Sequence, residues 1–146
     1  MTEFLDLHGQ LNKVVRALAE AAMQEHGLHL GQDHLLAQLW MRDGQTPGEL
    51  AAAGGVSTPA VVKMADRMSA AGLLTRARDQ NDNRLVRLWL TDKGLRLREP
   101  VEKARRELDN ALTAALSPDR KDLLLGALRT VCDTALELQS VRHRDE

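Results

Sequence analysis

Apolar residues recur at steps of three and four along the beginning and the end of the chain. This spacing is typical of amphipathic helices, and it predicts three of them: Thr2 to about His26, Thr91 to Leu116, and Pro118 to about Val141. Pro100 has no backbone N–H, so we expect it to kink the second of these helices near its start. The last five residues, RHRDE, are expected to fray.

Shorter apolar segments occupy the middle of the chain. HLLAQLWM predicts a buried helix over about Gln32–Arg42, and TPGELAAA predicts a second short helix. Thr46 is placed to cap that second helix, with Glu49 in position to bond back to the cap. Gly54 and Gly55 permit a tight turn, after which Ser57 caps a third helix. The inward-facing stripe of the third helix is Val61, Met64, Ala65 and Met68.

A period of two replaces the helical period after Gly72, a glycine placed to end the third helix. LLTRAR (73–78) and LVRLWL (85–90) are strand-like, and the polar loop between them projects as a wing. A short helix, a glycine turn, a second helix and a hairpin predict a mainly α fold with a winged helix-turn-helix. We expect three segments: an N-terminal dimerisation helix and bend (1–31), a DNA-binding domain (32–94) and C-terminal dimerisation helices (95–146).

Charge is distributed unevenly, although the formal net charge is only −1. The segment 57–94 holds seven lysines and arginines against four aspartates, which makes it net positive and the rest of the chain net negative. A positive patch on a slightly acidic chain is typical of a modest DNA-binding surface. Aromatic residues make up 2% of the chain, too few for a single-strand stacking platform, so we expect duplex DNA as the partner.

Other classes of protein find little support in the sequence. No apolar run is long enough to span a bilayer, and the N-terminus lacks the features of a signal peptide. Cys132 is the only cysteine, which excludes an intrachain disulfide, so we expect a cytoplasmic protein without a membrane partner. The sequence contains no nucleophile elbow, phosphate-cradling glycine loop or HExxH motif, so we predict neither catalysis nor a cofactor.

The long helices carry more apolar surface than a winged helix of this size can cover. A continuous apolar helix face that has no partner in its own chain is typical of an oligomer interface. We therefore expect an obligate homodimer with intertwined chain ends.

The hairpin region also carries a recognisable motif. Asp82-x-Arg84, followed after five residues by Leu90-Thr91-x-x-Gly94, resembles the wing signature of the MarR family of winged-helix transcription regulators. That resemblance implies a dimeric repressor that binds a roughly palindromic operator. It also implies release by a small, often phenolic, effector that binds between the DNA-binding lobe and the dimerisation helices. Asn83 and Lys63 depart from the family, which more often has arginine at both positions.

The candidate DNA contacts lie on the third helix and the wing. Arg84 is expected to enter a minor groove, and its plain alternative is a surface ion pair with Asp82; both can hold. Arg67 is expected to bind a phosphate, and the plain alternative is that the adjacent Asp66 pairs with a wing or helix arginine for structure alone. The full set of candidates is Ser57, Thr58, Pro59, Val62, Lys63, Arg67, Arg78, Asp82 and Arg84.

Four further features bear on the function. Met23, His34, Trp40 and Met41 are the candidate lining of an effector cavity, although Trp40 fits the core equally well. His26, His29 and His34 could suggest a zinc sensor, but we favour loop histidines because a zinc site needs three or four convergent ligands. Cys132 could suggest a redox sensor, but its apolar neighbours favour a buried, inert thiol. Asn83 and Lys63 leave open a winged helix that binds a protein partner instead of DNA.

Overall fold

The structure, a computed structural model, describes residues 2–145 and confirms a mainly helical fold with a small β-hairpin. Two compact units result, one ending at Leu108 and the other beginning at Asp109. The elements within the described residues are α1 (Glu3–Gln24), α2 (Gln32–Met41), α3 (Pro47–Gly54), α4 (Thr58–Ala70), β1 (Leu74–Arg78), β2 (Val86–Leu90), α5 (Asp92–Arg96), α6 (Arg98–Thr113) and α7 (Pro118–Arg144).

The helix starts that the sequence predicts are confirmed by their caps. A hydroxyl at the N-cap accepts the backbone N–H three residues later, which satisfies one of the free donors of a helix N-terminus. Glycines with positive φ end two of the helices, at Gly55 and Gly72. The capping hydroxyls belong to Thr46 on α3, Ser57 on α4, Thr91 on α5 and Ser117 on α7.

Two predictions about helix ends are wrong. The Glu49 carboxylate does not bond back to the cap; it accepts from Arg42, with Oε2 and Nη2 3.2 Å apart. The guanidinium offers this carboxylate a stronger, charge-assisted partner than a backbone N–H. At the other end of the chain, the tail does not fray after Val141, because α7 continues to Arg144. Glu146 lies outside the described residues.

The kink expected from Pro100 is present as a break between α5 and α6 at Leu97. Pro100 is the third residue of α6 and cannot donate to the carbonyl of Arg96, four residues earlier. The helical hydrogen-bond ladder is therefore interrupted at this point, and one predicted helix becomes two.

The core of the first unit lies between the three short helices, the hairpin and the start of α6. Its most completely buried side chains are Leu28, Leu36, Leu39, Met68, Leu88, Val101 and Asp33. The hairpin pairs Leu74 with Leu90 and Arg78 with Val86 at its two ends. An isolated bridge between Gln45 and Leu88 joins the α2–α3 loop to β2, so the wing is fastened to the helices at its base.

The boundary at Leu108 falls well beyond the functional boundary predicted at 94/95. The first half of α6 packs into the winged-helix core, since Val101 is fully buried there. Trp40 also reaches across to this region, where its Nε1 donates to the carbonyl of Gly94 at 3.0 Å. The division into DNA-binding and dimerisation segments stays a prediction about function.

Apolar stripes remain uncovered on two helices. On α1 the exposed members are Phe4, Leu7, Leu11, Val14 and Leu18, and on α7 they are Leu124, Leu128, Val131 and Leu138. Cys132 is exposed as well, which corrects the expectation of a buried thiol: its apolar neighbours belong to a helix face that nothing in residues 2–145 covers. Among these residues, no helix is both long and apolar enough to cross a membrane.

Candidate nucleic-acid interface

Helix α4 has one buried and one exposed face. Val61, Ala65 and Met68 are buried, and Met64 packs against the same core. The opposite face is open to solvent. It begins at the cap, where Ser57 Oγ accepts the N–H of Ala60 at 3.3 Å. The candidate DNA contacts on the exposed face are Ser57, Thr58, Pro59, Val62, Lys63 and Arg67.

An ion pair joins this helix to the hairpin. Asp66 of α4 binds Arg76 of β1, which confirms the predicted pairing of Asp66 with an arginine of the wing. Lys63 and Arg67 are four residues apart, which is about one helical turn, and both lie on the exposed face of α4. Asp66 therefore neutralises a strand residue, while both helix cations remain exposed to solvent.

Asp82 holds the arginine at the tip of the wing. One of its oxygens, Oδ1, accepts the backbone N–H of Arg84 at 3.0 Å and the side-chain Nε at 3.1 Å. These hydrogen bonds lower the pKa of Asp82, that from the Arg84 side chain contributing most. The Arg84 side chain is still 90% exposed. The ion pair thus leaves the guanidinium exposed. The predicted pair with Asp82 is confirmed, and the minor-groove contact of Arg84 stays a prediction.

Asp79 organises the loop behind this tip. Its Oδ2 accepts the backbone N–H groups of Asn81 at 3.0 Å and Asp82 at 2.9 Å. Its Oδ1 accepts from Arg87 Nε at 2.6 Å. The hydrogen bond from Arg87 is the main reason that the pKa of Asp79 is lowered, with the Asn81 N–H next. The same carboxylate raises the pKa of Arg87.

Arg87 connects the wing loop to the helices. Besides Asp79, it donates through Nη1 to the carbonyl of Gly44 at 2.9 Å, and Glu49 lies 3.9 Å away. Gly44 has φ +69°, and a Cβ there would come within 2.3 Å of the Trp89 ring. Only glycine fits this position without a shift. Contacts from the α2–α3 loop therefore set the orientation of the wing.

Internal pairing leaves fewer unpaired cations in the segment 57–94 than the seven that the sequence contains. Three of the seven cationic side chains in the segment 57–94 are bound to carboxylates: Arg76, Arg84 and Arg87. The other four are Lys63, Arg67, Arg78 and Lys93. Two of these bind carbonyls: Arg78 reaches Asn83 O at 3.5 Å, and Lys93 reaches Ala71 O at 2.9 Å. Carbonyl contacts leave their charge uncompensated, so the net positive surface persists.

A cavity of about 370 Å³ lies between α2, α3 and α4. Of the four residues expected to line an effector site, the structure brings only His34 to this cavity. Met23 is in the core, Trp40 is buried beside Gly94, and Met41 is 81% exposed. Sequence analysis missed Gln38, Ala53 and Val61 as lining residues. Gln38 could have been found, since it lies one turn after His34 on the same helix.

The partner of His29, at the first bend, is a carboxylate. His29 Nδ1 lies 3.2 Å from Glu20 Oε1, and the other oxygen of Glu20 accepts the backbone N–H of Leu30 at 2.7 Å. The Leu30 N–H, followed by His29, lowers the pKa of Glu20. Residues 2–145 contain no group of three or more His, Cys, Asp or Glu side chains placed to hold a metal ion.

Known proteins share this architecture. The family model described as the MarR family matches residues 28–86. A MarR transcriptional regulator from Methanosarcina mazei Go1 is 20% identical, with a TM-score of 0.81 over 94% of this chain and 99% of that one. MepR from S. aureus, solved in complex with DNA, is 21% identical, with a TM-score of 0.84 over 92% and 98%. PcaV from Streptomyces coelicolor, solved with its natural ligand, is 22% identical, with a TM-score of 0.74 over 87% and 92%.

The fold and the exposed helix and wing define a winged helix-turn-helix protein of the DNA-binding type. The family match then makes the assignment more specific. Residues 28–86 match the MarR-family model, which agrees with the resemblance found in the wing signature.

Proposed function

We propose that this regulator is a cytoplasmic repressor that binds a palindromic operator as a homodimer and leaves it when a small effector binds. One observation carries the DNA-binding part: the exposed face of α4 and the outward-aimed Arg84 belong to elements fixed to each other. The Asp66–Arg76 ion pair ties the helix to the hairpin. The Gln45–Leu88 bridge and the Arg87 contacts tie the hairpin to the helices.

On duplex DNA, α4 would enter the major groove with its N-terminus foremost. The backbone N–H of Thr58 at that end suits a phosphate oxygen, since Pro59 has no N–H and that of Ala60 is bound by Ser57. Pro59 and Val62 would face thymine methyl groups. Lys63 is a single point donor, so it would bind a phosphate or one base acceptor and not a guanine fork. Arg84 would reach the adjacent minor groove, where A·T-rich steps have an enhanced negative potential.

The uncovered apolar stripes of α1 and α7 support the homodimer. Each stripe contains several large aliphatic side chains that remain exposed in the single chain. A second copy of the chain would remove this surface from water, a favourable change of about 25 cal/mol for each Å² of apolar area. A twofold dimer presents two copies of α4, and such dimers read two half-sites about 34–36 Å apart. A palindromic operator follows from that symmetry.

The cavity between α2, α3 and α4 supports the effector response. Its walls include Val61 and Met64 of α4 itself, so an occupant would press on the helix proposed to read DNA. PcaV, of the same fold, was solved with a natural ligand. A ligand that binds the released form more tightly shifts the regulator away from DNA by that difference in affinity.

The test is a titration of the homodimer with duplex DNA from the region upstream of its own coding sequence, followed by fluorescence anisotropy across a range of salt concentrations. Affinity should fall steeply with salt, because cationic side chains release counterions from phosphates. Arg67→Gln should weaken binding and reduce the slope of log affinity against log salt by about 1.8, one contact in each subunit. Arg129→Gln, at an exposed arginine of α7, is the matched control and should leave the slope unchanged.

A second candidate is a winged helix that binds a protein partner. The internal pairing of Arg76, Arg84 and Arg87 favours it, since it leaves fewer free cations for phosphates. The same titration separates the two candidates. Salt-insensitive, micromolar-or-weaker binding to every duplex, unchanged by Arg84→Ala, would reject the repressor and favour the protein partner.

A further inference from the structure

The bend between α1 and α2 is bound to both helices by carboxylates. The backbone N–H of Leu30 donates to Glu20 Oε2 of α1 at 2.7 Å. The next backbone N–H, that of Gly31, donates to Asp33 Oδ1 of α2 at 3.0 Å. Asp33 is the buried one of these two carboxylates, so its position is fixed by the winged-helix core.

Asp33 also connects α2 to α6. Its other oxygen, Oδ2, accepts from Nη1 of Arg105, which is 72 residues away in the chain. The carboxylate is buried, whereas about half of the arginine side chain is exposed to solvent. A buried carboxylate that lost its cation would have no water to replace it, so the ion pair is costly to open. The pair therefore holds α6 against α2.

Helix α6 extends beyond the winged helix. It crosses the boundary between the two compact units, the first of which ends at Leu108. Inside the first unit, Val101 attaches α6 to the core by apolar contacts, which have no direction and do not by themselves define the rotation of the helix. Arg105 adds a directional contact one turn later. The other ion pairs of α6 up to Leu108 stay within the helix: Arg98–Glu102 and Lys103–Glu107.

We infer that the Asp33–Arg105 pair is the positioning contact that orients the winged helix on α6, and that it thereby sets the half-site separation that the homodimer accepts. The inference rests on the proposed homodimer and palindromic operator, and it names the residues that define the operator spacing. One base pair added between the half-sites moves them apart by about 3.4 Å and rotates them by about 34° around the DNA axis. Two winged helices that are held rigidly cannot follow this change, whereas two that turn on α6 can.

Asp33→Asn opens the pair with little change to the fold, because its amide oxygen still accepts the Gly31 N–H. Anisotropy is measured with duplexes that carry the two half-sites of the upstream DNA at their natural separation, and at separations one and two base pairs longer and shorter. The wild type should lose at least about tenfold in affinity for each base pair of change. Asp33→Asn should lose no more than about threefold.

Two variants serve as controls. Glu102→Gln makes the same change from a carboxylate to an amide, but it opens the surface pair with Arg98 and should keep the wild-type dependence on separation. Arg105→Lys retains a cation for Asp33, so its dependence should lie closer to the wild type than to Asp33→Asn. A general loss of stability would lower the affinity for all duplexes by one factor, so it would not imitate the expected result.

The spacing of the two copies of α4 can also be measured without DNA. A spin label attached through Lys63→Cys, with Cys132→Ser to remove the exposed native thiol, marks α4 once in each subunit. Double electron–electron resonance then gives the distribution of distances between the two labels. Asp33→Asn should widen this distribution by at least about twofold, and Glu102→Gln should leave it unchanged.

The inference is overturned if Asp33→Asn weakens binding to all the duplexes by the same factor, or if its distances are distributed as narrowly as those of the wild type. Either result leaves the repressor proposal standing. Distances that widen as expected, in a protein whose affinity does not depend on half-site separation, support the positioning role of the pair and refute the palindromic operator. A protein that gives no distance between labels is not a homodimer, which refutes both.

Discussion

A buried carboxylate provides the sharpest test of how α6 is attached to the winged helix. Asp33, in the first turn of α2, is 1% exposed, while its partner Arg105 on α6 is 46% exposed. Asp33 Oδ2 accepts from Arg105, and Oδ1 accepts the backbone N–H of Gly31 at 3.0 Å. The two partners therefore have different alternatives when the pair is broken, because Arg105 can turn to water and Asp33 cannot.

This difference predicts an asymmetry in stability. Arg105→Leu leaves a buried carboxylate without its cation, a change that costs about 3–5 kcal/mol when one partner of a buried pair is removed. We expect the lower end, about 3 kcal/mol, because the Gly31 N–H and the N-terminus of α2 still favour the charge. Asp33→Asn keeps an acceptor for Gly31 and leaves Arg105 in water, so it should cost only about 1 kcal/mol. The double variant should recover most of the Arg105→Leu loss.

Urea denaturation followed by circular dichroism measures these costs. The protein concentration is held fixed, because the unfolding of the proposed dimer would depend on it. Arg98→Leu, on the same helix, is the control. Arg98 pairs with Glu102 at 3.1 Å on the surface, and the loss of such a pair should cost less than about 1 kcal/mol. The reasoning is refuted if Arg105→Leu costs no more than Asp33→Asn, or if the double variant is as unstable as Arg105→Leu.

Three further predictions concern the wing. Arg87→Gln should lower the affinity for upstream DNA by about tenfold or more, although Arg84 is still present. The reason is that Arg87 joins Asp79 to the carbonyl of Gly44, and the variant loses this connection. Equal affinities of wild type and variant, measured by anisotropy, would contradict this prediction. Gly44→Ala should lower the free energy of unfolding, measured in urea, by at least about 1–2 kcal/mol. This is the cost of a left-handed backbone for alanine, to which the contact with the Trp89 ring would add. An unchanged urea midpoint would contradict the prediction. The pKa of Asp79 lies below its ordinary value of 3.8, so its contribution to stability is complete above that value and is lost only as pH falls through the lowered pKa. The backbone N–H groups of Asn81 and Asp82 should thus keep their protection from hydrogen exchange down to about pH 4 in the wild type. In Asp79→Asn they should exchange faster than in the wild type above about pH 4, and equal rates there would refute the role of the carboxylate.

Local signals in the sequence predicted most of the helices and both strands. Thr46 and Ser57 cap helices as expected, because a cap needs only residues within three positions of itself. Two more predicted helix starts are capped by Thr91 and Ser117. Pro100 interrupts the fifth predicted helix for an equally local reason. The exposed face of α4 followed from helical periodicity, and the Asp82–Arg84 pair followed from two residues that are two positions apart.

Other contacts join residues that are far apart in the sequence, and local patterns could not predict them. Arg105 meets Asp33 across 72 residues of chain, and Arg87 meets Gly44 across 43. The cavity exists because three helices approach one another without filling the space between them, which is why His34 lines it while Met23 and Met41 do not. Cys132 is exposed because burial depends on what covers a helix face, and apolar neighbours on the same helix cannot provide that cover. The sequence by itself determined the fold class of the protein and the position of α4 and of the wing. Only the tertiary structure decided which charges remain free, what holds the wing and where the cavity lies, because those properties arise from groups far apart in the chain.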